Sequence, residues 1–265
     1  MQKKLHLGLA ALLVLSLSGC GLFPERGDET KNWTAAKLYS EAKDEQSSGS
    51  FERAVQLFEK LESRYPFGTY AQQAQMEIAY THYKQGDQPL ALAAAERFIK
   101  LHPNHPNVDY MYYLRGLINF NDKKDLLHFV YEQDPTERDS KATREAFDAF
   151  KQLVQKFPNS SYTPDAVLRM KYLVNAMAQY EVHVARYYYR RGAYLSAVNR
   201  AQTAVKEYNG SPAVEEALWI MAESYDKMGL PDLRDDTLRV FKQNFPNSKL
   251  AGNAKQGDKP WWKIW

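Results

Sequence analysis

Alanines at positions 42, 79, 185 and 222 each stand 24 residues ahead of the same kind of closing phrase, and this spacing leaves few folds open. The phrases are Tyr65-Pro66-Phe67-Gly68, His102-Pro103-Asn104, Tyr208-Asn209-Gly210-Ser211 and Phe245-Pro246-Asn247-Ser248, with Phe157-Pro158-Asn159-Ser160 between the second and third of them. An aromatic residue followed by proline and then Asn, Ser or Gly ends a helix, because proline lacks the N–H and crowds the preceding turn. Seven residues after each alanine comes a glycine: Gly49, Gly86, Gly192 and Gly229. Twelve after come Ala54, Ala91 and Ala197, while Arg234 breaks the pattern in the last unit.

Small side chains at the first and third of these sites let two helices cross closely, and the glycine turns the chain between them. Phe58, Phe150, Tyr188 and Tyr225 fill neighbouring sites. This is the pattern of a tetratricopeptide repeat (TPR), here with a period of 37 residues between Ala42 and Ala79 and again between Ala185 and Ala222, against about 34 for the standard unit. The third unit is interrupted. Gly116 takes its small site, but Pro158 follows 42 residues later, which places an insertion of 18 residues at Asn121 to Arg138. The insertion lies between a helix over Val108–Asn119 and another over Lys141–Lys156. The fourth unit is also long, since Ala185 follows Pro158 by 27 residues with no Gly or Pro in the surplus, so its first helix is expected to run from Thr163 to Arg190. Thr163-Pro164-Asp165 offers that helix a capping hydroxyl, a proline in the first turn and a carboxylate at the positive end. Ser211-Pro212 is expected to start the next unit in the same way. The fold class is therefore all-α, a TPR superhelix of five helix-turn-helix units with ten helices, in which each unit buries its apolar stripe against its neighbours.

Ahead of the repeats, Met1 to Lys4 is a short basic region and Leu7 to Leu17 an apolar stretch of signal-peptide length, too short to span a bilayer. It ends Leu17-Ser18-Gly19-Cys20, the form of a bacterial lipobox, and Cys20 is the only cysteine in the chain. Residues 1–19 are thus expected to be a lipoprotein signal peptide. Cys20 would carry a thioether-linked diacylglycerol and an N-acyl chain, a much firmer anchor than a single fatty acid. Gly21, in place of Asp, favours the outer membrane. Residues 20–32 then form the anchor and tether, 33–120 an N-terminal TPR arm, 121–140 the insertion and 141–250 a C-terminal arm. Residues 251–265 form a tail that reads either as a disordered end or as an amphipathic plug whose Trp261, Trp262 and Trp265 suit a partner or a membrane interface.

The formal charge of +3 falls to +1 once Lys3 and Lys4 are removed with the signal, leaving 33 basic and 32 acidic residues. A chain so near neutrality lacks the charge that nucleic acid binding requires. A single cysteine also excludes a disulfide framework. No phosphate-binding loop, nucleophile elbow or His-Glu-x-x-His motif is present. His102 and His105 flank a repeat-closing loop, where a solvated turn accounts for them better than half of a metal site does. No enzyme activity, cofactor or metal is expected, apart from the covalent lipid on Cys20.

What exceeds the needs of helix stacking is aromatic and basic surface. Arg64, Tyr65, Phe67 and Tyr70 cluster at the first junction. Tyr110, Met111, Tyr112, Tyr113 and Arg115 share one helix, and Arg186 to Arg191 sets three tyrosines among three arginines. Tyr and Arg are favoured at protein interfaces because they combine area with directed hydrogen bonds. Packing alone accounts for about half of these aromatics. A TPR groove holds an extended or helical peptide through a few anchor side chains.

The phrases Arg64-Tyr65-Pro66-Phe67-Gly68, Arg97-Phe98-Ile99, His105-Pro106-Asn107-Val108-Asp109-Tyr110, Arg115-Gly116-Leu117 and Phe157-Pro158-Asn159-Ser160-Ser161-Tyr162 are more specific than the period. With Arg138-Asp139 ahead of Ala146-Phe147, the run Ala178 to Arg191, and Ala197-Val198-Asn199-Arg200, they resemble the BamD (YfiO/ComL) family of outer-membrane lipoproteins over about residues 20 to 250. That resemblance implies a subunit of the β-barrel assembly machinery at the periplasmic face of the outer membrane. Its N-terminal repeats would receive unfolded outer-membrane proteins, with Arg64, Tyr65, Phe67 and Tyr70 as candidate contacts. Its C-terminal repeats would dock on a POTRA domain of BamA, with Arg186, Arg190 and Arg200 as candidates, and other Bam lipoproteins are implied as partners. The Trp-rich tail departs from the family pattern. The alternative is another periplasmic TPR adaptor, either a Tol-linked coordinator of cell division or a peptidoglycan-associated scaffold.

Overall fold

The structure is a computed structural model that describes residues 28–120 and 140–250. Cys20, nearly all of the insertion expected at 121–140, and the tail 251–265 lie outside the described residues. Among those described there are ten helices and no strand, arranged as hairpins. The first two are α1 (Ala35–Ser47) with α2 (Phe51–Arg64), and α3 (Thr69–Gln85) with α4 (Gln88–Leu101). Then come α5 (Val108–Asn119) with α6 (Ser140–Lys156), α7 (Thr163–Arg190) with α8 (Tyr194–Glu207), and α9 (Val214–Lys227) with α10 (Pro231–Asn244). The fold is the expected all-α, TPR-like one, and both α5 and the 28-residue α7 have the predicted bounds. No helix among the described residues is long and apolar enough to cross a membrane.

The spacing rules act through close packing. Ala42, Ala54, Ala79, Ala91, Ala185 and Ala197 are fully buried and Ala222 nearly so. Gly49, Gly86, Gly192 and Gly229 all take positive φ, between +70° and +87°, a region closed to most side chains. Gly116 serves a different end. It lies within α5, and a Cβ there would fall 2.4 Å from Cε1 of the Phe150 ring on α6. The absence of a side chain is what lets the two helices meet.

The closing phrases share one backbone form. Tyr65, His102, Tyr208 and Phe245 end their helices with φ near −130° and ψ of 38° to 62°. Three of the four precede a proline, whose ring disfavours the α conformation in the residue before it. After Phe157 two successive turns follow, with Ser160 N–H donating to Phe157 O at 3.1 Å and Thr163 N–H to Ser160 O at 3.1 Å. This corrects the expected helix starts. The Thr163 hydroxyl caps nothing; it donates back to Phe157 O at 2.8 Å, because Thr163 is already inside the helix and Tyr162 occupies the cap. Ser211 likewise lies in the closing turn, its hydroxyl accepting from Ala213 N–H at 3.3 Å, and α9 begins only at Val214.

The described chain forms two compact units, one ending at Ala71 and one beginning at Gln72. In the first, α1 packs on α2 and buries Leu38, Ala42, Ala54, Leu57, Phe58 and Leu61. In the second, Val108, Tyr112 and Phe120, ahead of residues 121–139, join Ala146, Phe150 and Leu153 after them in one cluster. The long helix α7 serves two clusters. Ala166 and Leu173 near its start join that of α5 and α6, while Val182, Ala185 and Tyr189 near its end pack with Ala197, Ala201, Ala217 and Ile220 of α8 and α9.

Candidate functional site

The first aromatic-basic cluster forms at the end of α2. Lys60 and Arg64, one turn apart, share a helix face, and both reach Asp28. Lys60 Nζ lies 2.9 Å from Asp28 Oδ1, and the Arg64 guanidinium donates to Asp28 Oδ2, to the Thr30 carbonyl and, at 3.0 Å, to Thr30 Oγ1. Thr30 is 1% exposed and donates from both its N–H (3.1 Å) and its hydroxyl (2.7 Å) to Asp28 Oδ1. The Tyr65 hydroxyl donates to the Trp33 carbonyl at 2.9 Å. Hydrogen bonding by the Thr30 hydroxyl, with Lys60 beside it, holds the Asp28 carboxyl well below the usual carboxylate range.

Residues 28–32, expected to belong to a tether, are therefore fixed on the first unit. Arg64 and Tyr65, expected to face a partner, contact the chain's own segment. No local pattern announces this, because the pairing bridges more than thirty residues and the expected tether looks like any polar linker.

Other members of the cluster remain on the surface. Phe67 is 91% exposed on the α2–α3 turn, held there by Pro66 before it and by Gly68 after it, whose φ is +102°. Tyr65 and Tyr70 are more than one-third exposed, and the Tyr70 ring lies 5.7 Å from Tyr39, itself edge-on to the buried Phe58. The turn thus fixes an aromatic ring almost wholly in water.

The second cluster belongs to the interior. Met111 and Tyr112 are buried, with the Lys156 ammonium donating to the Tyr112 hydroxyl at 2.7 Å and Arg115 over the Tyr112 ring at 5.0 Å. Tyr113 stacks on Tyr162 at 4.9 Å and donates to Asp165 Oδ2 at 2.6 Å. Burial, reinforced by Asp165, pushes the Tyr113 phenol up to about 12. Burial would raise Asp165, but hydrogen bonds from Tyr113 and Arg169 outweigh it and hold its carboxyl low. Asp165, read from sequence as a helix-end charge, also ties α5 to α7. His102 and His105 are half-buried against the Phe98 ring rather than solvated, and His102 Nε2 hydrogen-bonds Gln75 Oε1 at 2.8 Å.

The third cluster divides. Arg186 is largely buried and forms two 2.7 Å hydrogen bonds to the Glu216 carboxylate, joining α7 to α9. Tyr189 is buried. Arg190 is exposed and Tyr187 is 45% exposed under the Arg191 guanidinium. Arg200 on α8 lies 3.2 Å from Glu181 and keeps 44% of its side chain in water. Leu195, on the same helix, is 64% exposed.

Comparison with known proteins places this geometry in a family. The model of the family described as YfiO, outer membrane lipoprotein, matches residues 31–240. The outer membrane protein assembly factor BamD of Neisseria meningitidis serogroup A / serotype 4A is 48% identical over 261 residues, covering 97% of this chain and 98% of its own. That of Vibrio cholerae serotype O1 is 38% identical over 89% of this chain and 97% of its own. Among solved structures, a thermophilic TPR protein of Thermus thermophilus is 16% identical, covers 84% of this chain and 98% of its own, and superposes with a TM-score of 0.37. With the family matched across all ten helices but the last few residues of α10, and with full-length relatives near half identity, the chain belongs to the YfiO family of outer membrane lipoproteins, whose curated members bear the name BamD.

Proposed function

We propose that the chain is a lipoprotein subunit of the outer-membrane β-barrel assembly machinery, acting as an adaptor rather than an enzyme. Cys20 carries the diacylglycerol and N-acyl chain and holds the repeats at the periplasmic face. The first unit takes up unfolded outer-membrane proteins, and the repeats of α7 to α10 dock on a POTRA domain of BamA. Other Bam lipoproteins complete the set of partners. The observation that carries the reading is Phe67, almost wholly in water beside Tyr65 and Tyr70 in a chain of this family. A barrel precursor is an extended chain of alternating aromatic and polar residues, and three rigid rings hold such a chain weakly enough to release it.

Phe67→Ala is expected to lower crosslinking to a C-terminal barrel peptide about tenfold, the effect of losing one anchor of ~1.4 kcal/mol. The ring is 91% exposed, so the unfolding midpoint should not move. Equal crosslinking by the variant overturns the assignment. Arg64→Ala is a poorer probe, since it also frees residues 28–30.

For the second surface, Arg200→Glu reverses a charge that is nearly half in water. Purification of the complex from detergent-solubilised outer membranes should then recover several-fold less of the sixteen-stranded, POTRA-bearing partner. Full recovery counts against a docking role for α8.

A further inference from the structure

The groups that hold residues 28–33 are the ones a peptide-binding site needs. Arg64 and Tyr65 donate to main-chain carbonyls, those of Thr30 and Trp33, which every peptide possesses. Lys60 and Arg64 meet a carboxylate, that of Asp28. Contacts to main-chain carbonyls do not depend on sequence, and a paired cationic site for a carboxylate fixes one end of the bound chain. The segment is therefore held as a bound peptide would be, by Lys60, Arg64 and Tyr65.

Its attachment suits displacement. The side chains of the two ion pairs are between 27% and 39% exposed, a range in which such pairs contribute little. The segment forms two overlapping turns, Lys31 N–H donating to Asp28 O at 2.9 Å and Trp33 N–H to Thr30 O at 3.0 Å, and only Thr30 in it is buried. The helix that follows does not depend on it. Thr34 caps α1 by accepting from Lys37 N–H, and the buried residues of α1 are Leu38, Ala42 and Gln46.

We infer that residues 28–33 are a self-ligand occupying the Lys60–Arg64–Tyr65 face of the first unit, which an incoming extended peptide displaces by placing its C-terminal carboxylate where Asp28 sits. This rests on the reading of the first unit as a peptide-binding site. The occupied state lowers the apparent affinity by the fraction of molecules in which the face is open, so loosening the segment tightens binding.

The test uses the full mature chain and a synthetic ten-residue peptide of alternating aromatic and polar residues ending in Phe, prepared as the free acid and as the C-terminal amide. Asp28→Asn keeps the size of the side chain and removes its charge, leaving Lys60, Arg64 and Tyr65 in place. Fluorescence anisotropy should show this variant binding the free acid roughly five- to tenfold more tightly than the unmodified protein does. Hydrogen exchange over residues 28–34 should speed up in the unmodified protein when the peptide is added, because the turns that occupy the Thr30, Lys31 and Trp33 amides lose the Lys60, Arg64 and Tyr65 contacts that hold them in place. The amide should bind several-fold more weakly than the acid to both proteins. If the peptide binds but Asp28→Asn gains nothing, or exchange over 28–34 stays the same, the segment is a structural cap and the inference falls while the site reading stands. Equal binding of acid and amide overturns the placement of the carboxylate. Failure of the peptide to bind either protein overturns the site reading and the inference with it.

Discussion

Replacing Gly116 by valine is expected to destabilise the chain by about 3 kcal/mol and to lower its unfolding midpoint by roughly 6–12 °C. The Cβ would fall 2.4 to 2.8 Å from three atoms of the Phe150 ring, closer than real Cβ contacts come. The ring has no room to retreat, being fully buried among Val108, Tyr112, Phe120 and Leu153. Gly116→Ala makes the same clash with one carbon, but it recovers about 1 kcal/mol of helix propensity, so its net effect should be smaller. The clash also predicts its own rescue. Phe150→Leu alone opens a cavity and destabilises, but combined with Gly116→Val it should recover part of the loss, giving a coupling of about 1 kcal/mol or more in a double-mutant cycle. Thermal unfolding followed by circular dichroism measures all four proteins. A midpoint for Gly116→Val within a degree of the parent would mean that α5 and α6 do not meet as described.

Gly116 also illustrates what was legible in the sequence. It lies one 37-residue period after Ala79, while counting back 24 residues from the closing phrases locates Ala42, Ala79, Ala185 and Ala222, because helix crossings and turns recur at fixed offsets whatever surrounds them. The limits of α5 and α7 were legible for a related reason: Pro, Asn and Ser act on the backbone within a few residues. Tertiary partners were not. Nothing near Arg186 points to Glu216, thirty positions on, and nothing near Arg64 points to Asp28, thirty-six positions earlier. Composition marked all three aromatic clusters as candidate surface, but exposure separates them. Tyr112 and Tyr189 face the interior and Phe67 and Tyr187 face water; for Tyr187 and Tyr189 the difference is set by helix rotation, which a run of like residues conceals, and for Phe67 by its place on a turn. The misread hydroxyls of Thr163 and Ser211 are a finer case, where a capping residue type falls inside a turn that already orders the backbone.

That divide decides the second prediction. Arg186 and Arg190 lie one helical turn apart and look alike in sequence, yet Arg186→Ala should cost about 2 kcal/mol and Arg190→Ala less than about 0.5 kcal/mol. The Arg186–Glu216 side chains are 18% and 24% exposed. The pair thus falls between wholly buried pairs, whose rupture costs about 3–5 kcal/mol, and exposed ones worth about 0–1 kcal/mol. Most of the loss comes from leaving the Glu216 carboxylate half-shielded without its two donors, since the arginine stem contributes packing but the orphaned charge contributes the penalty. Removing both charges should therefore be milder than removing one: Arg186→Met with Glu216→Leu is expected to regain most of the midpoint that Arg186→Ala loses. The comparison separates structure from docking. If Arg186→Ala weakens recovery of the proposed POTRA-bearing partner and the double replacement restores both recovery and midpoint, Arg186 acts by holding α7 on α9, and the exposed Arg190 and Arg200 remain as docking candidates. If the double replacement restores the midpoint but not recovery, the guanidinium itself touches the partner, and the α7–α9 pair must open when the partner binds.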